Sequence, residues 1–282
     1  MHASPALSAT DLGKTYGKTE ALVGVELTVG VGELVGLLGP NGAGKSTFVK
    51  IACGLTRASH GTATVFGNPP GSREANSSIG YLAELFRFPQ WLSADELLAL
   101  HQRLARSDGG ENERERLLDS VGLAAASSKR VGEMSKGMQQ RLGIAQALVA
   151  SPRLLILDEP TSALDPVGRR LIRELLLTLK AEGVAILLNS HLLGEVERVC
   201  DRFVIISKGR IVAQGTSDDL VQGRGVEIET GSGLRSYPDA TREDAPRLVA
   251  ELVRAGESVY TVTATGSTLE DAYLRAVGGE TS

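Results

Sequence analysis

The hydrophobic positions of the first eighty residues fall into short β-like runs, at 34–38 and 62–66, separated by Gly and Asn turns and broken by one helix that opens at a glycine-rich loop. From Ser93 the period lengthens. Ser93 followed by Glu96 makes a capping box, and Leu97, Leu100 and Leu104 are predicted to share one helical face. A second helix is predicted over 113–121. A third starts at Ser135, is expected to bury Met138, Leu142, Ala145 and Val149 at four-three-four spacing, and stops at Ser151-Pro152. The stretch of about 84–150 therefore reads as a helical subdomain inserted into an α/β layer.

The α/β pattern then returns. Residues 154–157 form a continuous apolar run of buried-strand type, and Asp165-Pro166 caps and opens a helix that presents Ile172, Leu175, Leu176 and Leu179 and ends at Gly183. Residues 184–188 read as another buried strand, and a hairpin is predicted over 203–213 with Lys208-Gly209 at its turn. After about residue 221 the texture loosens into Gly, Arg, Ser and Asp. The tail reads as strand 226–229, helix 246–255 closed by Gly256, strand 258–263 and helix 268–277. The expected organisation is one large α/β domain over 1–220 and a small α/β accessory domain over 221–282, with no internal repeat. A chain of 282 residues accommodates both, taking roughly 100–200 residues per domain.

Composition narrows the classes. With 42% apolar and 23% charged residues the chain is an ordinary globular one. Its net charge of −4 and scattered basic residues provide no concentrated stripe to neutralise phosphates, so nucleic acid is not an expected partner. Cys53 and Cys200 have neither a CxxC partner nor a histidine at metal-ligand spacing, and read as buried free thiols in a reducing cytosol. No run approaches the roughly 18 apolar residues of a spanning helix, and the start, MHASPALSAT, has neither a basic nor an apolar leader region. The expectation is a cytoplasmic, soluble chain that would need another polypeptide to span a membrane.

The chemistry concentrates at Gly39-Pro40-Asn41-Gly42-Ala43-Gly44-Lys45-Ser46-Thr47, which fits the phosphate-loop pattern G-x-x-x-x-G-K-[ST] between a predicted strand and a predicted helix. Glycines let backbone amides turn inward, the helix N-terminus adds positive potential, Lys45 reaches the β- and γ-phosphates of ATP, and the Ser46 hydroxyl ligates Mg²⁺. Such a loop also needs an acid on a neighbouring strand, which Leu154-Leu155-Ile156-Leu157-Asp158-Glu159 supplies. Asp158 is assigned to the Mg²⁺ sphere, and Glu159 to orienting and deprotonating the attacking water. His191 alone decides nothing, because a lone histidine is more often structural.

With the phosphate loop in place, the segment Met134-Ser135-Lys136-Gly137-Met138-Gln139-Gln140-Arg141 resembles the signature sequence of ABC-type ATPases. The resemblance covers nearly the whole chain and implies a P-loop NTPase fold of ABC type with an inserted helical subdomain and a small C-terminal α/β appendix. It further implies a head-to-tail dimer, in which Ser135, the Gly137 amide and the helix dipole meet the γ-phosphate held by the other chain. Tyr16 fits an adenine-stacking aromatic, although the residue by itself suits core packing equally well. Ser162-Ala163-Leu164-Asp165 matches the D-loop and His191 the switch histidine that hydrogen-bonds the γ-phosphate.

Departures from the family pattern are Lys136 for the usual Gly, Met138 for Gln, and Glu84 where a glutamine normally stands. A carboxylate at 84 can still meet Mg²⁺ or a water, but it adds negative charge beside the triphosphate. The signature variant, the residues 165–170, and the end 268–274 followed by Gly278-Gly279 resemble ATPases of ABC-2-type exporters of drugs, antibiotics or lipids. The implied function is a motor subunit that hydrolyses ATP and drives a separately encoded transmembrane permease, dimerising as homodimer or heterodimer on the inner face of the membrane. An importer ATPase is the alternative within that class. A soluble non-transport ABC ATPase would be expected to carry two cassettes, a long heptad insertion or zinc-ligand cysteines, and a GTPase an N-K-x-D motif; the sequence has none of these. Aromatic residues make up 4% of the chain, yet Phe86, Phe88 and Trp91 cluster just after Glu84, either as a docking surface for the membrane partner or as core of the helical subdomain. The appendix reads equally as a stiffener of the dimer or as a regulatory element.

Overall fold

The computed structural model describes residues 4–220, 225–264 and 268–278. The chain divides into two compact units between Gln214 and Gly215. Residue 221, where composition places the boundary, lies outside the described residues, as does Gly279.

The first unit opens with two strands longer than the short runs of the hydrophobic pattern, β1 (Leu7–Tyr16) and β2 (Thr19–Val29). They pair antiparallel with Leu7 opposite Val29 and Ala9 opposite Leu27, and the inward positions Leu7, Ala9, Leu12, Leu22, Val25, Leu27 and Val29 are all buried. A bulge between Ala9 and Leu12, where Asp11 takes a φ of 48°, breaks the alternation in β1.

The second sheet is built around β3 (Leu34–Leu38), whose five residues are all buried. After β3 come α1 (Lys45–Ala52), β4 (His60–Val65), which pairs antiparallel with β1, the single turn α2 (Arg73–Asn76), and β5 (Ile79–Leu82).

The inserted helices follow: α3 (Ala94–Ala105), α4 (Gly110–Ser120) and α5 (Lys136–Ala147). The Ser93–Glu96 capping box forms as the sequence predicts. The buried face of α3, however, is Ala94, Leu97, Leu98 and Gln102, while Leu104 is 71% exposed. Leu104 lies at nearly the same azimuth as Leu97 but in the last turn of the helix, which ends at Ala105, so its exposure reflects its place at the helix end and not its phase. Helix α5 is buried nearly all round, through Leu142, Gly143, Ile144, Ala145 and Ala147, whereas Met138 is only half-buried. It lies close on β5, since a Cβ at Gly80 would sit 1.9 Å from the Ala147 carbonyl oxygen. Between α3 and α4 the buried Glu113 carboxylate accepts hydrogen bonds from the Gln102 amide, the Ser107 hydroxyl and the Ala150 backbone N–H.

Strands β6 (Leu154–Asp158) and β7 (Ala185–Asn189) are likewise buried at every position, as continuous apolar runs require in a parallel sheet covered on both faces. Between them α6 (Pro166–Ala181) starts at an Asp165 cap whose carboxylate accepts from Gly168 N at 2.7 Å. The short α7 (Leu193–Val196), β8 (Arg202–Ser207) and β9 (Arg210–Gly215) complete the unit. Lys208 and Gly209, both at positive φ, make the two-residue turn expected there. The sheet order β5-β6-β7-β3-β8-β9 sets the carboxyl ends of β6, β7 and β3 side by side. That adjacency, invisible along the chain, positions the site.

The second unit begins with α8 (Ser217–Leu220) and contains an antiparallel sheet of β10 (Val226–Thr230), β11 (Gly233–Tyr237) and β12 (Val259–Ala264), with β10 central. Helix α9 (Ala245–Arg254) contributes Leu248 to a core with Val226 and Ile228, and α10 (Leu269–Gly278) buries Leu269 and Ala272. Strand β11 is absent from the sequence prediction because its residues, Gly233 to Ser236, are exposed and carry no alternation.

Candidate nucleotide site

The loop of residues 39–47 leaves β3 and enters α1 without a side-chain cap, so the amides of that helix terminus are left for a ligand. Gly44 stands at φ 111°, and a Cβ there would meet the Ala21 carbonyl oxygen at 2.5 Å and the Leu22 side chain at 2.8 Å. Only glycine fits. The Lys45 ammonium donates to the Gly39 and Pro40 carbonyls, at 2.5 and 3.1 Å, and burial holds its pKa below the ordinary lysine value. A triphosphate would replace those neutral acceptors with charged ones.

A cavity of about 170 Å³ opens over the loop, lined by Asn41 to Thr47 together with Ala21, Glu84, Asp158, Glu159 and Asn189. A larger cleft, of about 610 Å³, lies at the opposite ends of the strands, beside Val31, Pro152 and Gly183, away from every residue of the motifs.

Asp158 is 3% exposed and accepts a hydrogen bond from Asn189 Nδ2. Burial raises its pKa above the usual carboxylate value, and the neighbouring charges of Glu84 and Glu159 add to the rise, against the Asn189 bond. Glu159 sits in left-handed backbone at φ 54°, a strain of about 1–3 kcal/mol that persists only where surroundings fix it. They do. Its N–H donates to Asn189 O at 2.8 Å, and its Oε1 accepts from His191 N at 3.0 Å and lies 2.8 Å from His191 Nδ1. The other carboxylate oxygen, Oε2, is buried without a partner, as is Asn189 Oδ1.

The structure thus brings Gly39, Pro40, Asn41, Gly42, Ala43, Gly44, Lys45, Ser46 and Thr47 together with Glu84, Asp158 and Glu159, and sets His191 against Glu159. Tyr16, Ser135, Gly137 and Asp165 do not line the cavity. Tyr16 is 48% exposed, with Lys14 Nζ 4.9 Å from its ring centre, and so is not a core residue. Ser135 caps α5 by accepting from Met138 N at 3.2 Å, and Gly137 faces the Ala163 carbonyl. Asn189 and Gln140 are the two residues that sequence reasoning passes over. Both are buried polar side chains. Asn189 ends the apolar run of β7, which is the signal that could have marked it, whereas Gln140 sits among Gln139 and Arg141 and carries no such signal.

Among the described residues no group of three or more His, Cys, Asp or Glu is placed to hold a metal by itself. That suits Mg²⁺, which is bound through one or two carboxylates plus substrate phosphates and keeps several waters. Ser46 and Asp158 supply the hard oxygen donors on the cavity wall, and the orphaned Asn189 Oδ1 can accept from a metal-bound water.

The acids stand at the end of β6, the next strand but one from β3, with β7 and its Asn189 between them, and not on an adjacent strand as the sequence suggests. A phosphate loop at the carboxyl end of a buried parallel strand, with acids so placed, defines a P-loop nucleotide-binding protein. The model of the ABC transporter family matches residues 22–162. An ABC transporter ATP-binding protein of Nostoc, itself uncharacterised, is 44% identical over 75% of this chain and 67% of its own length. The Nod factor export ATP-binding protein I of Rhizobium johnstonii is 35% identical over 98% of this chain and 96% of its own. Among solved structures, an ATP-binding subunit of an ABC transporter superposes with a TM-score of 0.71 at 36% identity, covering 76% of this chain and 91% of the other. A dimeric bacterial ABC transporter cassette does so with a TM-score of 0.67 at 27% identity, covering 74% and 98%. The chain belongs to the ABC transporter family, as an ATP-binding subunit.

Proposed function

We propose that this subunit hydrolyses Mg-ATP in a head-to-tail dimer and uses the cycle to drive export through a separate membrane permease. One observation carries the hydrolytic reading: the Glu159 carboxylate is held by His191 through one oxygen while the other, buried and unpartnered, is left to accept a proton. Lys45 would pair with the β- and γ-phosphates, and Ser46 and Asp158 would hold Mg²⁺, which would supply positive charge against the triphosphate. A water oriented by Glu159 attacks the γ-phosphorus, its proton passes to the carboxylate, and the bond to the bridging oxygen breaks to leave ADP. His191 fixes the base on one side and faces the γ-phosphate on the other. Glu84, on the same cavity wall, would offer a further carboxylate to the metal's waters.

Dimerisation supplies the residues that stand outside the cavity in one chain. Ser135 and the Gly137 amide, at the N-terminus of α5, reach the nucleotide of the second subunit; Asp165 meets it across the interface, and Tyr16 stacks on adenine. The domains act as an ATPase cassette over 1–220 and an accessory unit over 221–282. The likeness to the Nod factor export ATP-binding protein I of Rhizobium johnstonii, over 96% of its length, supports export as the direction. A docking surface is offered by Leu85 and Trp91, 90% and 73% exposed beside Glu84. Phe86 and Phe88, with ring centres 4.9 Å apart, are half-buried beneath and serve as its floor. No helix of the described residues is long and apolar enough to cross a membrane. Purifying the chain with mild detergent from its native cell is expected to recover a polytopic membrane protein and to show ATP hydrolysis. Recovery without any membrane protein overturns the transport-motor reading.

A further inference from the structure

The Glu159 backbone is pinned from more than one element. Its carbonyl oxygen accepts hydrogen bonds from the Gln140 carboxamide Nε2 at 3.1 Å, from the Ser162 hydroxyl at 3.1 Å and, at 3.5 Å, from the Ser162 backbone N–H. Gln140 lies in the second turn of α5, is 6% exposed, and is followed by the buried Leu142, Gly143 and Ile144. A buried carboxamide in such surroundings is costly unless it is bonded, and here its amide finds the carbonyl of Glu159, a non-glycine residue in left-handed backbone at the site. Both lone pairs of that carbonyl are then occupied, which blocks the rotation of the Glu159 peptide that would carry its side chain off the cavity.

We propose that Gln140 and Ser162 are positioning residues for Glu159, holding the left-handed turn that aims its carboxylate at the attacking water. The inference rests on the hydrolytic reading above and adds residues that touch neither substrate nor metal. Gln140 does more than hold. Ser135 caps the same helix five residues earlier, so whatever meets that N-terminus is joined to the base by one rigid element and one hydrogen bond. Glu159 is thereby tied to the signature segment of its own chain.

The test compares full-length wild type, Gln140→Met, Glu159→Gln and the double variant, reading phosphate release at saturating Mg-ATP and nucleotide affinity by fluorescent-nucleotide displacement. Gln140→Met keeps the side-chain length and removes the donor. Its kcat is expected to fall about 10- to 100-fold, the scale of a misplaced catalytic group, with affinity within about twofold of wild type. In the Glu159→Gln background the same change should alter residual turnover by less than about twofold, because residues acting as a unit are not additive. An unchanged kcat, or an equal loss in both backgrounds, overturns the proposal. If Gln140→Met loses cooperative melting, the exposed Ser162→Ala takes its place: a loss of roughly threefold that vanishes in the Glu159→Gln background supports the positioning role, and unchanged turnover overturns it. Wild-type protein that binds Mg-ATP yet releases no phosphate would remove the hydrolytic reading itself, a result distinct from turnover that ignores Gln140.

Discussion

The phosphate loop and the acid corner face each other across one cavity but are built in opposite ways. The loop is a contiguous run of nine residues whose working groups are backbone amides and one ammonium, shaped by glycines such as Gly44 that admit no Cβ. The acid corner is assembled from β6, β7 and α5, and its working groups are side chains fixed by bonds from distant residues: the Asn189 carboxamide on the Asp158 carboxylate, the His191 N–H on the Glu159 carboxylate and the Gln140 carboxamide on the Glu159 carbonyl oxygen. The difference teaches that binding and hydrolysis are separable here. A loop made of backbone fails when its shape fails, whereas a corner made of side-chain bonds can lose its chemistry and keep its shape.

The sharpest test of that separation is Glu159→Gln, which preserves shape and removes the base. Phosphate release should drop by about 10²- to 10⁴-fold, while Mg-ATP still raises the melting temperature and now accumulates a dimer on size exclusion. Normal turnover in this variant would move the base elsewhere, with Glu84 the first candidate. Lys45→Ala attacks the other side. Wild-type protein at a hundredfold excess of Mg-ATP over Kd should gain about 2.7 kcal/mol of stability, and the variant should gain almost none while its ligand-free melting stays close to wild type. Full stabilisation of Lys45→Ala would contradict the loop's role.

Gly44→Ala tries to break the comparison from the backbone. The added Cβ clashes with the Ala21 carbonyl and strains a φ of 111°, so roughly 1–3 kcal/mol of stability should be lost together with nucleotide affinity. Denaturant unfolding at fixed nucleotide checks both, and a fully stable, binding-competent variant would show the loop to be less constrained than its geometry. The smallest effect is expected outside both regions. Trp91→Ala, at a 73% exposed ring, should change stability by no more than about 0.5 kcal/mol and leave basal ATPase activity intact, while weakening copurification of the membrane partner. Retained copurification would move the docking surface away from Trp91.

The same contrast marks how far the sequence could be read. The strands β3, β6 and β7 were legible because each is a continuous apolar run, and the caps at Ser93, Ser135 and Asp165 because each side chain bonds an amide three residues on. The loop was legible because phosphate binding by backbone needs glycines at fixed, contiguous spacing. Long β1 hid its alternation behind the bulge at Asp11, and β11 has no buried face to alternate. Leu104 continues the apolar face of α3 into its last turn, and that the face is no longer covered there is nothing a local period specifies.

By itself the sequence determined the phosphate loop, the pair of acids at the end of β6, the α/β layering and the inserted helices, since each is set by neighbours within one turn or one strand. Only the tertiary structure decided that β7 lies between β6 and β3, that Asn189 therefore bonds Asp158, and that Gln140, nineteen positions away, holds the Glu159 carbonyl. Those contacts join residues distant along the chain, and a buried side chain makes such a bond where packing has removed the water that would otherwise satisfy it.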